Sequence, residues 1–531
     1  MAFDAASGGR TTADTVGTPE IPDAGPAPGL EAGPAPGLDA GLEPGLDRTI
    51  AAAPLVHAWS SFLASGATPF TIPGHKRLAG TVSADLARML DADVPLFGGL
   101  DAVKLTAGVL PRAEHLAARA WGARWCRFST GGSTHPNQAI VLAAGQSGRS
   151  VLVSRTAHRS TLLALVLAGL RPVWLGVDCD PATGIPLGLN ANRIGAAARE
   201  HPDAVAVLCV EPGYFGTVSA VAELASAAHR AGLPLIVDQA WGAHFGFHPD
   251  LPPHAVQSGA DAMVISMHKS LPAFSQASAL FVASDRWDHG RLERAFEAGN
   301  TTSPAGAILA SIDAARAMLT HPGGTALLDR LISVVAHTRD RLHAAGIDTV
   351  NPATFPPGRY DPAKLVIRTR SIERNGNDIE AELVRGGVPV EMADADTVIP
   401  MISLLDDKQT LDRLVAALLA AVRHAPAAPR PDDPETLTAM LASWPIPEQA
   451  LTPREAFFAD VRPVPVTEAA GRICAEVIAP YPPGIPALVP GELIDAARLE
   501  VLRDAAARGT RIAYAADASL DTIQVVAGPA R

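Results

Sequence analysis

Lysine is nearly missing from this chain: only Lys76, Lys104, Lys269, Lys364 and Lys408 stand among 43 basic residues. A composition that replaces lysine with arginine so freely leaves the survivors enriched for need. Positive charge is short overall as well. The net charge of −12 excludes the dense basic footprint that nucleic acid requires, and favours cationic small molecules only by weak long-range attraction. Cysteine is sparse, and Cys126, Cys179, Cys209 and Cys474 lie far apart, with no CxxC or Cys/His ligand spacing. That excludes a disulfide framework and a zinc site; no metal is expected. No apolar run reaches the length of a membrane span, and the most apolar stretch, 161–170, ends at Arg171-Pro172. The first residues hold neither a basic n-region nor an apolar h-region, so no signal peptide is expected and the cytoplasm is the expected compartment.

With 531 residues, 48% of them hydrophobic, the chain calls for two or three domains. Residues 1–48 carry the near-repeat AGPAPGLEAGPAPGLDAGLEPGLD and read as a disordered Pro/Gly-rich tail. Beyond it, helical patterns at 51–65, 113–121, 135–144 and 161–168 alternate with apolar runs. The runs at 127–129, 151–154, 171–175, 205–210, 233–237, 262–266 and 279–282 read as buried strands. Such alternation predicts an α/β fold whose mostly parallel sheet is covered on both faces. A helix is expected over 304–319 with Ser303 as N-cap. The predicted units are a large domain (49–322), a small α+β domain (323–424) with a strand at 364–368, a linker (425–435) and a C-terminal domain (436–531) ending in a strand at 522–526.

Chemistry concentrates where LIVDQAWGAHF is followed by ADAMVISMHKS. Asp238 closes one apolar strand and Lys269 follows the next. In α/β sheets ligands bind beyond the carboxyl ends of strands, so both side chains should enter one crevice. An amine and an acid so placed are what pyridoxal 5′-phosphate (PLP) chemistry requires. The lysine joins the aldehyde, and the carboxylate keeps the ring nitrogen protonated. Burial should depress the amine's pKa. Taken singly, each residue has a bland reading as a cap or a solvated charge. Earlier in the chain, STGGSTHPNQAI places two glycines and the hydroxyls of Ser133 and Thr134 between a strand and a helix, either as a phosphate cup or as a capped helix start. Ser266 and His268 bracket Met267 just before Lys269. His158, at another strand end, could stack on the ring.

These segments resemble the fold-type-I Orn/Lys/Arg decarboxylases, the bacterial PLP enzymes of basic amino acids, in their shorter biosynthetic form. The likeness rests on FTIPGHK, GGST, AHRS, EPGYFGTVS, VDQAWGAHFGFHP, SMHKSLPAFSQAS and TTSPAGAILASIDAA, and on the C-terminal text from PREAFFADVRP to IPALVPGE. The resemblance implies a large domain of the PLP-dependent transferase type with a seven-stranded sheet, a homodimer or higher oligomer with sites at the dimer interface, and a part in polyamine biosynthesis. It implies that Lys269 carries the cofactor, that Asp238 pairs with the ring nitrogen, and that His158 stacks. Ser133, Thr134, Ser266 and His268 would hold the phosphate, with Trp241 near the phenolic oxygen. His268 would also protonate the substrate carbon after CO2 leaves, and Thr302 and Ser303 would reach a neighbouring subunit's phosphate. For the distal cation of the substrate, Glu476 is the candidate carboxylate and Asp101 the second.

The chain departs from the family pattern in four places: Asp-Gln-Ala-Trp at 238–241, GGSTHPNQ at 131–138, the run at 100–104, and Glu-Pro-Gly-Tyr at 211–214. The expected activity is decarboxylation of arginine, lysine or ornithine. Another PLP reaction, with Arg368 or Arg370 gripping the α-carboxylate of a transaminase substrate, and a degenerate PLP-binding homologue remain the alternatives.

Overall fold

A computed structural model describes residues 52–78, 80, 82–94, 108–181, 183–428, 444–481, 484–507 and 510–528. The predicted tail, Asp101 and most of the predicted linker lie outside the described residues. Seven strands form the central sheet: β1 (Trp125–Ser129), β2 (Ser150–Ser154), β3 (Arg171–Leu175), β6 (Ala204–Val210), β7 (Leu235–Asp238), β8 (Ala262–Ser266) and β9 (Ser278–Val282). A two-stranded ribbon, β4 (Asp178–Cys179) with β5 (Pro186–Gly188), follows β3 in the chain. The sheet order is β1-β9-β8-β7-β6-β2-β3, and β9 alone runs against its neighbours.

Alternation along the strands explains why the sheet must be covered twice. Leu152, Val207, Cys209, Leu235, Val237, Met263 and Ile265 enter one hydrophobic cluster. Their neighbours Val151, Val153, Ala206, Leu208, Ile236, Ala262 and Val264 enter another. Successive side chains leave a strand on opposite faces, so strands apolar throughout need helices on both sides.

Some predicted boundaries shift for physical reasons. The run at 233–237 becomes β7 only from Leu235, because Pro234 has no N–H for a ladder, while Asp238 is drawn in by pairing with Val264. The helix expected from Pro304 begins at Gly306, with Ala305 as N-cap. Thr301 Oγ1 accepts from Ser303 N at 3.2 Å, a local turn that replaces the expected cap. The strand expected over 364–368 shrinks to β11 (Ile367–Arg368). Arg339 takes the carbonyls of Pro362 and Lys364 at 2.7 and 2.6 Å, so this stretch is pinned by a guanidinium instead of a ladder.

The antiparallel order of the second sheet is β10-β11-β13-β12, made by β10 (Asp348–Thr349), β11, β12 (Met392–Ala393) and β13 (Thr397–Ile399). Leu331, Leu342, Ile367, Ile379, Leu383, Val398, Leu411 and Leu418 pack this sheet against helices Pro322–Ala344, Gly376–Arg385 and Lys408–His424. Nearer the C-terminus, β14 (Val461–Pro465) pairs with β17 (Thr522–Val526), and β15 (Ala479–Tyr481) with β16 (Arg511–Ala513).

A buried ion pair fastens these last residues to the large sheet. Arg155, one residue beyond β2, meets Glu492 through both nitrogens at 2.5 and 3.0 Å, and both side chains are almost fully buried. Val489 N donates to the same carboxylate at 2.9 Å, and Arg155 also donates to Ala487 O at 3.1 Å. Removing one partner of such a pair strands a charge in the interior, so Glu492→Ala is expected to lower the unfolding free energy by about 3–5 kcal/mol in urea titrations. A loss below about 1 kcal/mol, the range of exposed pairs, would show that the pair does not hold the segment.

Candidate active site

The carboxyl ends of β7 and β8 bring an acid and an amine together. Asp238 is the last residue of β7 and is 2% exposed. Lys269 lies in the single helical turn Met267–Ser270 that follows β8. Burial lowers the pKa of the Lys269 amine, and the charges of Asp238 and Glu391 oppose that fall. The amine stands 4.1 Å from the centroid of the Trp241 ring.

A relay of hydrogen bonds fixes the acid. Asn137 Nδ2 donates to Asp238 Oδ2 at 2.7 Å and to Ser160 Oγ at 3.1 Å, while Ala240 N donates to Asp238 Oδ1 at 3.2 Å. Ser160 Oγ and N both lie against His158 Nδ1, at 2.9 and 3.3 Å, which makes His158 the N-cap of helix Arg159–Ala168. With Nδ1 accepting, the neutral ring carries its proton on Nε2. Burial pushes the His158 pKa down, and Asp238 works against it. A helix-bound amide, a hydroxyl and an imidazole are thereby aligned on one carboxylate.

The glycine turn before helix Thr134–Ala144 forms a cradle. Gly132 has φ +62°, and a Cβ on Gly131 would stand 2.9 Å from His135 Cβ. Ser133 occupies the N-cap position without making a side-chain cap bond; its hydroxyl instead accepts from Ser266 Oγ at 3.0 Å. Among the described residues, the N–H groups of Ser133, Thr134 and His135 have no acceptor. Open helix N–H groups beside two hydroxyls suit an anion such as a phosphate. The buried Asn137 Oδ1 likewise has no partner within the described chain.

The remaining sequence candidates divide. Trp241 is buried and walls the site. His268 is half-buried, and its Nδ1 faces Ala277 O at 2.8 Å; a carbonyl can only accept, so Nδ1 holds the ring's proton. Burial also lowers the His268 pKa, and in the neutral ring Nε2 is the acceptor. Thr302 and Ser303 are exposed at the surface of this chain, before the helix start. Glu476 is corrected as a substrate carboxylate. Its oxygens each accept a backbone N–H, from Ala516 and Gln524 at 2.6 Å, so it braces the C-terminal segment. Of the transaminase candidates, Arg370 is paired with Asp396 at 3.5 Å.

Four participants escaped the sequence reading. Asn137 lies one turn inside the cup helix. Lys364, counted among the five lysines, places its amine 4.1 Å from the same Trp241 ring as Lys269. Exposed Glu391, just before β12, raises the proton affinity of Lys269, Lys364 and His268 against the effect of burial. Tyr214 packs edge-on to Trp241 at 5.5 Å. The Tyr214 and Tyr481 hydroxyls are pushed up by burial, and also by Glu391 and Tyr514, so three of the chain's four tyrosines neighbour this carboxylate or one another.

Comparison with known proteins agrees in sequence and in fold. The family profile "Orn/Lys/Arg decarboxylase, major domain" matches residues 53–357, and that family's C-terminal domain matches residues 434–507. An arginine decarboxylase of Bacillus subtilis is 32% identical over 467 residues, 86% of this chain and 94% of that protein. The constitutive lysine decarboxylase of Escherichia coli is 26% identical over 471 residues, 72% of this chain and 65% of that protein. Among solved structures, lysine decarboxylase A of Pseudomonas aeruginosa superposes with a TM-score of 0.76 at 20% identity, covering 91% of this chain and 81% of that one.

The relay to Asp238 yields a ranking of stabilities. Asn137→Ala removes a buried donor to a carboxylate and should lower the unfolding free energy by about 1.5–3 kcal/mol near neutral pH. Asn137→Asp sets a second carboxylate against the first and should be less stable than Asn137→Ala by denaturant titration. The opposite order would mean that Asn137 does not hold Asp238.

Proposed function

Since the chain belongs to the Orn/Lys/Arg decarboxylase family and is a decarboxylase of basic amino acids, we propose that it works with pyridoxal 5′-phosphate on Lys269 and takes arginine as substrate. The observation that carries the cofactor assignment is the buried Lys269 amine facing the relay-held Asp238 carboxylate. The choice of arginine is supported by the 32% identity to arginine decarboxylases, against 26% to a lysine decarboxylase.

The residues fit the cofactor. Lys269 Nζ would hold its aldehyde carbon, and Asp238 would sit at the ring nitrogen. The hydroxyls of Ser133, Thr134 and Ser266, with the open N–H groups of the cup, would hold its phosphate, and His158 would cover the ring. When bound, the cofactor supplies an electron sink for the electron pair that carbon dioxide leaves behind. With Asn137 and Ala240 already directed at it, the Asp238 carboxylate would meet the ring nitrogen with little reorganisation. Burial lowers the pKa of the Lys269 amine, which favours the nucleophilic form that would join the cofactor's aldehyde. Trp241 and Tyr214 wall the site against water. His268, bonded to Ala277 O, orients the turn that carries Lys269 and presents an acceptor to the site. Thr302 and Ser303 would complete the phosphate site of a second subunit in a homo-oligomer.

The distal guanidinium needs a carboxylate that is not already committed, and Glu391 meets that need where Glu476 does not. Tyr214, Tyr481 and Tyr514 add aromatic surface suited to a cation.

Purified protein titrated with pyridoxal phosphate should gain a visible absorption band that Lys269→Ala abolishes. Carboxyl-labelled arginine should release labelled carbon dioxide faster than lysine or ornithine. Glu391→Gln should raise KM for arginine at least about tenfold with a smaller change in kcat, the loss expected of one charge-assisted contact. No band in the wild type would remove the cofactor assignment; a faster rate on lysine or ornithine would reassign the substrate.

A further inference from the structure

We propose that Lys364 is the acid of this site, the ammonium group that returns a proton to the reacting carbon after carbon dioxide has left. The inference rests on the decarboxylase reading above and adds a residue to it.

Position comes first. Lys364 Nζ and Lys269 Nζ each lie 4.1 Å from the centroid of the Trp241 ring, so they can be no further apart than twice that distance. The stem of Lys364 is fixed. Gly216, at φ +88°, has no side chain where a Cβ would stand 2.9 Å from Lys364 Cβ and Cγ, with Tyr360 Cζ at 3.3 Å. Its backbone is tied by Lys364 N to Asp361 O at 3.0 Å and by Arg339 to Lys364 O at 2.6 Å. Only the amine end is left to move. Gly216 and Arg339 thus hold a lysine in a chain that elsewhere prefers arginine.

Among the described residues, no carboxylate locks the amine into an ion pair. Its neighbour Asp361 is committed to His244, at 3.2 Å, and to Ala363 N, at 2.9 Å. The groups facing Lys364 are Asp361 and Glu391, which favour its charge, and Lys269, which opposes it; burial outweighs them and brings its pKa to about 8. An acid near the operating pH both holds a proton and releases it readily. His268, the other basic group beside Lys269, has its ring proton tied to Ala277 O. A cavity of about 20 Å³ adjoins Lys364 and is also lined by Trp241, His244, Ser270 and Asp361. It has room for one water, with His244 Nδ1 and Ser270 Oγ as buried atoms able to hold it.

The step balances without an oxidant. One N–H bond of the ammonium breaks, and one C–H bond forms with the electron pair left by carbon dioxide. Lys364 remains as a neutral amine and regains its proton from solvent.

Charge and proton transfer separate cleanly by substitution, because arginine keeps the charge but does not give up a proton in this pH range. Lys364→Met, Lys364→Gln and Lys364→Arg are to be loaded with pyridoxal phosphate, checked for the visible band and supplied with labelled arginine. All three should lose turnover by about 100-fold or more. All three should also convert a larger share of substrate to aldehyde, with bleaching of the band, as the proton goes to the cofactor instead. The alkaline limb of kcat, falling through about pH 8 in the wild type, should vanish. A wild-type measurement needs no variant: the aldehyde share should climb as pH passes 8. Rescue by Lys364→Arg, a rise in KM alone, or an aldehyde share unmoved by pH and substitution would each overturn the proposal. Failure of the wild type to bind cofactor would instead strike the function proposed above.

Discussion

The site depends on one buried carboxylate set beside an amine. Asp238 is nearly inaccessible, and a polar group in such a place is costly unless donors answer it. Asn137, from the cup helix, and the backbone of Ala240 supply them. This single requirement sets several elements in place at once. Helix Thr134–Ala144 must present Asn137 inward, helix Arg159–Ala168 must present Ser160, and His158 is drawn into line behind it. Parallel strands ending at one level make that convergence possible.

Features written in contiguous residues were legible in the sequence. The apolar runs disclosed the covered sheet, and an acid closing one strand with a lysine just past the next pointed to a crevice. What escaped was set by partners distant in the chain. Asn137 finds Asp238 across 101 positions, and nothing in THPNQ announces a relay. Lys364 stands out by rarity, yet its stretch reads as a strand, because the hold of Arg339 on the carbonyls of Pro362 and Lys364 leaves no local trace. Glu476 looked available because its donors, Ala516 and Gln524, belong to a later turn and strand. Asp101 lies outside the described residues.

Tautomers add a lesson that residue identity alone cannot give. His158 and His268 both read as site histidines, yet their hydrogen bonds prepare opposite behaviour. His158 accepts on Nδ1 and therefore offers Nε2–H, whereas His268 donates on Nδ1 and offers a lone pair. Two similar rings, a few residues past different strands, are thus given complementary parts by a serine and a carbonyl.

Arg155 sits three positions before His158, and its partner Glu492 follows 337 residues later. The loop that aims a ring into the crevice is therefore anchored by the far end of the polypeptide. A chimera that borrows its terminal segment from another relative inherits more than a surface. Unless the donor brings a carboxylate to the place of Glu492, the graft will disturb the crevice without touching any residue in it, and inheritance should have kept the two stretches in step.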